Sequence, residues 1–261
     1  MPAKKTIDWV SAVIIDDETD EEKNISDKKI IVQKKRHTQQ PLKKYFCEDM
    51  SIIECGIDEA GRGPMFGRVY AGLVVLPKDD TFDHSQMKDS KKFHSKKKIE
   101  QVAEYIKQFS IAWAVEYEDE QTIDEINILQ ATQSAMHKCI KTVLKQLQIK
   151  DINNILLLVD GNYFKPYSLL NLNKTKLECL QYQMIEGGDN KYTSIAAASI
   201  LAKVERDTYI NELCLQNPEL VEHYGIDSNK GYGSKKHMDG IRQYGITKWH
   251  RKTFGICKEY C

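Results

Sequence analysis

"GIDEAGRGPMFGRVYAG", residues 56–72, is the stretch on which the fold turns. It continues an apolar, β-prone run, "SIIECGI" (51–57), that ends in two adjacent carboxylates, Asp58 and Glu59. A Gly61-Arg62-Gly63 turn follows, then Pro64, then a second apolar run, "RVYAGLVVL" (68–76), stopped by Pro77. Two short apolar runs joined by glycine turns read as neighbouring strands. Carboxylates at a strand end lie on the rim of a sheet, where ligands collect in open α/β folds.

The same logic extends outward. "SKKKIEQVAEYIKQF" (95–109) reads as a helix capped by Ser95, and "SIAWAVEY" (110–117) alternates as a third strand, giving an antiparallel meander. Residues 122–147 carry apolar side chains at helical spacing. "NILLLVD" (154–160) is a continuous apolar run, as in a buried central strand, and it too ends in a carboxylate, Asp160. "LECLQYQMI" (177–185) reads as an edge strand, residues 190–210 as an alanine-rich helix, and 227–261 as a helical appendage. The fold expected is α/β: a mixed sheet with helices on both faces.

Asp189, in "EGGDNK", is the third candidate acid, with Asp207 as its rival. Asp58, Glu59, Asp160 and Asp189 on one rim would repel one another unless a divalent cation joined them. Oxygen ligands without His or Cys favour Mg²⁺ or Mn²⁺, and a pair of such ions suits in-line attack on a phosphodiester. Taken one at a time, each acid also has a local reading: Asp160 as a turn former, Asp189 as a helix N-cap, Asp58 and Glu59 as solvated groups.

The 261 residues hold 38 Lys+Arg and 38 Asp+Glu, so net charge alone predicts no polyanionic partner. The cations are clustered, however. "KDSKKFHSKKK" (88–98) is one basic block, and residues 229–252 form another with Tyr232, Tyr244 and Trp249 interleaved. Cations with aromatic rings suit a nucleic-acid backbone. Seven cysteines without a CxxC pair argue against a disulfide framework and a zinc site. Neither an N-terminal apolar leader nor a membrane-length run is present, so an intracellular protein is expected.

Six motifs in order identify a resemblance: "GIDEAGRGP" (56–64), "DSKK" (89–92), "LVDGN" (158–162), "GDNKYTSIAAASILAKVERD" (188–207), "NKGYGSKKH" (229–237) and "HRKTF" (250–254). The chain from 53 to 254 resembles the ribonuclease HII family. That resemblance implies a ribonuclease H-like five-stranded sheet with a C-terminal helical appendage. It implies metal-dependent cleavage of RNA in RNA/DNA hybrids and of single ribonucleotides embedded in duplex DNA, 5′ to the ribonucleotide, leaving 3′-hydroxyl and 5′-phosphate ends. Asp58, Glu59, Asp160 and Asp189 match the catalytic and metal-binding positions; the related ribonuclease HIII ends this set with Glu. Gly61, Arg62 and Gly63 match the element that reads the 2′-hydroxyl, and Tyr232 the ring at the RNA–DNA junction. Lys91 or Lys92 matches a phosphate contact, with Ser194 and Lys203 as further backbone contacts. Two departures stand out: Met65-Phe66-Gly67-Arg68 after "GRGP", and the 29 positions between Asp160 and Asp189.

Residues 1–50, with acidic (16–22) and basic (28–36) blocks, are expected to be mostly disordered, leaving 51–261 as the catalytic domain. Within the extension, Gln39, Leu42, Tyr45 and Phe46 resemble a motif that docks on the replication sliding clamp. Tyr45 and Phe46 have a second reading, as pins holding the linker to the domain. Residues 11–22 resemble a SUMO-interacting segment, with a disordered acidic stretch as the preferred reading. A monomer working at intracellular sites of DNA replication is expected. The competing class is a catalytically silent nucleic-acid-binding or clamp-associated subunit, against which the intact carboxylate set argues.

Overall fold

The computed structural model describes residues 41–149, 152–170 and 176–261. The predictions for Gln39, for the acidic and basic blocks and for the SUMO-like segment fall outside them. Among the described residues the strands β1 (Ile53–Ala60) and β2 (Val69–Val75), the helix α1 (Lys96–Phe109) and the strand β3 (Ala112–Glu118) form the expected meander. They are followed by α2 (Glu120–Gln146), β4 (Ile155–Asp160), a short hairpin of β5 (Ser168–Leu170) and β6 (Leu177–Cys179), and β7 (Gln181–Ile185). The main sheet has the order β3-β2-β1-β4-β7, with β4 parallel to both β1 and β7. Then come α3 (Thr193–Gln216), α4 (Glu219–Tyr224), α5 (Ile226–Asn229) and α6 (Lys235–Tyr244), closed by a 3₁₀ segment (Gly255–Tyr260).

The period of two along β1 sorts its side chains. Cys55 and Ile57 join Leu157 and Val159 of β4 in a core covered by Ala135, Met136 and Ile140 of α2. Glu54, Gly56 and Asp58 therefore face the other side, where α3 lies. A Cβ on Gly56 would come within 2.2 Å of the Ser194 carbonyl carbon, and one on Gly72 within 2.4 Å of the Ala198 oxygen. These two glycines, facing the alanines of α3, let helix and sheet backbones touch. A second core, with Val102 and Ile106 of α1 and Ala197 and Leu201 of α3, covers this face.

Several boundaries differ from the sequence reading. The 177–185 segment breaks at Leu180: β6 pairs with β5 outside the main sheet, while β7 forms its edge. The hairpin takes up part of the stretch between Asp160 and Asp189. α2 is interrupted at Asn127 (φ 66°), whose side chain accepts from the Leu129 and Gln130 N–H groups and starts the helix anew. α3 starts at Thr193 rather than Asn190 and runs on to Gln216, where Asn217-Pro218 ends it. The appendage begins with α4, before residue 227.

Met65 and Phe66 explain the first departure. Both are buried among Ile210, Tyr224, Ile226 and Ile241 in the appendage core. They fasten the Gly61–Gly67 loop to the C-terminal helices. Arg68 lies between the rings of Tyr117 (4.0 Å) and Tyr209 (4.2 Å), a cation stacked on both.

Candidate active site

Parallel pairing of β1 with β4 opposes Ile57 to Val159, so the next residues, Asp58 and Asp160, emerge side by side on the α3 face. Between β7 and α3, Gly187 adopts a left-handed conformation (φ 62°) and opens a 3₁₀ turn, Gly188–Asn190, that brings Asp189 to the same rim. Asp58, Glu59, Asp160 and Asp189 all line one cleft of about 440 Å³, together with Gly61, Arg62, Gly63, Lys91, Lys203 and Tyr232. Residues that are 131 positions apart in the chain (58 to 189) thus share one wall.

The site is electrostatically loaded. Burial, then the neighbouring Glu59 and Asp160 carboxylates, hold Asp58 well above the usual carboxylate range. Burial raises Glu59, opposed by Arg62, whose Nη1 lies 3.3 Å from Oε1. Asp160 is raised by burial and opposed by the Gly188 N–H, which donates to Oδ1 at 2.6 Å. Asp189, 5% exposed, accepts from Asn190 Nδ2 at 3.0 Å. Asp189 is not the cap of α3: Tyr192 precedes that helix, and the Thr193 N–H donates to the Lys43 carbonyl.

Among the described residues, no three His, Cys, Asp or Glu side chains close to coordination distance. The chemistry of the set nonetheless suits a hard cation: oxygen ligands only, crowded and partly buried, with mutual repulsion that a divalent ion would relieve.

Of the other residues singled out in the sequence, Lys91 lines the cleft, whereas Lys92 turns toward Asn190 and Asp89. Lys203 lines the cleft and pairs with Asp207 at 2.8 Å. Asp207 lines the same cleft, as the partner of Lys203. Ser194 does not face the cleft. It is 3% exposed beneath β1, where the close approach of Gly56 seals it from any substrate. Tyr232 is half exposed and would lie 3.4 Å from a Cβ on Gly63, so the Gly61–Gly63 loop and the ring are neighbours.

Leu42, Tyr45 and Phe46 do not present one free face. Leu42 packs on the α1–α3 core, Tyr45 meets the edge of His84 (6.3 Å), and Phe46 rests on Tyr192 (5.7 Å). Lys43 N–H donates to the Lys191 carbonyl, and the Phe46 and Cys47 N–H groups donate to buried Glu54, which also pairs with Lys78 at 3.0 Å. The segment is a strap tying the base of β1 to the turn that carries Asp189, in keeping with the pinning role.

Sequence reading missed several cleft residues. Ser199 hydrogen-bonds Asp58 and lies 3.1 Å from Ser90 Oγ. Ser199, Lys203 and Arg206 recur at helical spacing, a signal that points them toward one side of α3. His237 and His250 form a buried relay. The Thr247 N–H can only donate, to His250 Nδ1 (2.9 Å), and the Tyr232 carbonyl can only accept, from His237 Nδ1 (2.9 Å). His250 Nε2 must then donate to His237 Nε2 (3.0 Å), so both rings are neutral and the relay ends on the backbone of Tyr232.

Comparison with known proteins bears on the family and the fold. The model of the family described as Ribonuclease HII matches residues 55–257. A ribonuclease HII of Parabacteroides distasonis is 43% identical over 207 residues, which are 79% of this chain and 92% of that protein. The ribonuclease H2 of Pyrococcus horikoshii shares the fold, with TM-score 0.59 and 24% identity over 80% of this chain and 97% of that one. So does a chain from the PCNA:RNase HII complex of Archaeoglobus fulgidus, with TM-score 0.57 and 22% identity over 78% of this chain and 96% of the other.

Proposed function

Because the chain belongs to the ribonuclease HII family, and is thus a type 2 ribonuclease H, a hydrolase and endonuclease, we propose that it cleaves the RNA strand of RNA/DNA hybrids and single ribonucleotides in duplex DNA. Cleavage falls 5′ to the ribonucleotide and leaves 3′-hydroxyl and 5′-phosphate ends. The observation that carries this reading is one cleft lined by the carboxylates Asp58, Glu59, Asp160 and Asp189 together with Gly61, Arg62, Gly63 and Tyr232. Chemistry and sugar recognition would then act on the same nucleotide.

In this reading Asp58, Asp160 and Asp189 hold Mg²⁺ or Mn²⁺, with Glu59 in support. The metal supplies an activated water and charge stabilisation for the leaving oxygen. The protein's own residues do the rest. The Gly61–Gly63 backbone contacts the 2′-hydroxyl, the group that distinguishes RNA from DNA. Tyr232 stacks at the junction with the following nucleotide. Lys91 and Lys203 meet phosphates. The protein acts as a monomer, at sites of DNA synthesis inside the cell. Clamp docking through Leu42, Tyr45 and Phe46 belongs to this reading: Phe46 is 43% exposed, Leu42 and Tyr45 would leave their packing on the domain to join it, and a chain sharing this fold comes from a PCNA:RNase HII complex.

Asp160→Asn and Asp58→Asn tests the chemistry. Each variant should fold, bind a duplex carrying one ribonucleotide, and cut it at least about 10³-fold more slowly than the parent with Mg²⁺ or Mn²⁺ present, the scale expected when electrostatic stabilisation of a transition state is lost. Parent-like rates in either variant would remove that carboxylate from the reaction.

A further inference from the structure

Arg251, in the "HRKTF" motif, is fully buried and makes no ion pair among the described residues. A buried guanidinium without a carboxylate is costly unless its donors find acceptors. Four of its five N–H donors find them on one loop. Nη2 donates to the Gly61 carbonyl (2.6 Å), Nη1 to those of Arg62 (3.1 Å) and Pro64 (2.8 Å), and Nε to that of Gly67 (2.8 Å). The Arg251 N–H donates to the Met65 carbonyl (2.8 Å), and Arg206 takes that of Phe66 (3.2 Å). From Gly61 to Gly67 only the Gly63 carbonyl is not held in this way.

A trans peptide is planar, and its C=O and N–H point in opposite directions. Drawing the Gly61 and Arg62 carbonyls inward onto Arg251 therefore turns the N–H groups of Arg62 and Gly63 outward, and both residues line the cleft. Neither N–H has an acceptor among the described residues. The Pro64 peptide, turned the same way, sends the Met65 N–H to the Gly231 carbonyl (2.9 Å), next to Tyr232. Burial, then the nearby Arg206 cation, pulls the Arg251 guanidinium down to about 9, so it stays charged at neutral pH and polarises the peptides it holds.

We propose that Arg251 is the positioning residue for sugar discrimination. By gripping four side-chain-bound carbonyls it presents two outward N–H donors and one free acceptor, the Gly63 carbonyl, as a preformed cradle for a 2′-hydroxyl, which both donates and accepts. This rests on the reading that the Gly61–Gly63 loop meets the ribonucleotide sugar. Lysine keeps the charge but lacks the planar fork, so it cannot hold four carbonyls together.

The test is binding preference in a cleavage-silent Asp160→Asn background. Affinity is measured for a duplex with one ribonucleotide and for its all-DNA equivalent, with and without Arg251→Lys or Arg251→Gln. The expected result is a folded variant whose preference for the ribonucleotide duplex falls about tenfold or disappears, while affinity for the DNA duplex changes little. A merely structural arginine would lower Tm and leave the preference intact, which overturns the proposal. If the Asp160→Asn parent shows no preference, the sugar-reading assignment of the loop fails instead. If neither Arg251 variant folds, the Arg62 and Gly63 amide proton shifts in the parent decide: both should move on adding the ribonucleotide duplex but not the DNA duplex, and unmoved amides reject the cradle.

Discussion

Gly56→Ala is the smallest change that tests how the site is assembled. A methyl there would sit 2.2 Å from the Ser194 carbonyl carbon, 2.4 Å from its oxygen and 2.5 Å from the Ile195 nitrogen, all backbone atoms of α3. Backbone cannot rotate aside as a side chain can, so α3 must retreat from β1 by about 1 Å to restore ordinary contact. Overpacking of this kind costs about 1–3 kcal/mol. In a domain of this size that is a loss of roughly 3–10 °C in Tm. Activity should suffer more, because Asp58 rides on β1 while Ser199 and Lys203 ride on α3. A misplacement of about 1 Å within such a constellation costs on the order of 10²-fold in rate. Gly245→Ala is the matched comparison: its φ is 78° but a Cβ there meets nothing within 4 Å. With ψ at −166° it should lose about 1–3 kcal/mol to backbone strain and keep parental cleavage. Melting curves and single-turnover cleavage on one ribonucleotide-containing duplex read both. Parental rate and Tm in Gly56→Ala would refute the claim that direct helix–sheet contact sets the site.

Other outcomes follow from the same geometry. Asp58 titrates above its ordinary 3.8, so in metal-free protein its ionised form opposes folding; the stability is intact below that value and declines as pH rises through the raised one. Asp58→Asn should therefore raise the metal-free Tm at pH 7–8, by about 2–4 °C for each kcal/mol of repulsion relieved, and show no gain near pH 4, as followed by scanning calorimetry in a chelator. The histidine relay has the opposite sign. Burial lowers both rings, His250 from 6.5 to about 3, so the stability they contribute is complete above about 6.5 and declines as pH falls below it. The Tm difference between parent and His250→Gln should shrink on going from pH 7.5 to 5. Glu54→Ala leaves Lys78 and the Phe46 and Cys47 N–H groups without their buried acceptor. It should cost about 3 kcal/mol by chemical denaturation and loosen amide exchange at residues 188–193, where the strap is anchored.

The parts legible in the sequence were those encoded locally. Apolar runs ending in Asp58 and Asp160 marked parallel strand ends, and the Gly61-Arg62-Gly63 turn marked a close backbone approach. Long-range contacts were the parts that escaped. Arg251 and His250 serve residues some 190 and 13 positions away, and nothing in their neighbours' periodicity says so. Ser194 misled because its place in a motif says nothing of orientation; on α3 it points beneath β1, while Ser199, five residues on, reaches Asp58. Met65 and Phe66 looked like a departure in a substrate loop and are the pegs of the appendage core. Leu42, Tyr45 and Phe46 carried a docking pattern, and nothing local in it shows that Leu42 and Tyr45 pack on the domain while Phe46 stays 43% exposed.

The most direct test of the account is cleavage by the unmodified protein, with Mg²⁺ or Mn²⁺, of three matched duplexes: all DNA, one ribonucleotide, and one 2′-O-methyl ribonucleotide. The account predicts a single cut in the second alone, 5′ to the ribonucleotide, with 3′-hydroxyl and 5′-phosphate ends on mapping. Cleavage of the all-DNA or 2′-O-methyl duplex at a comparable rate, or an uncut ribonucleotide duplex, would contradict it.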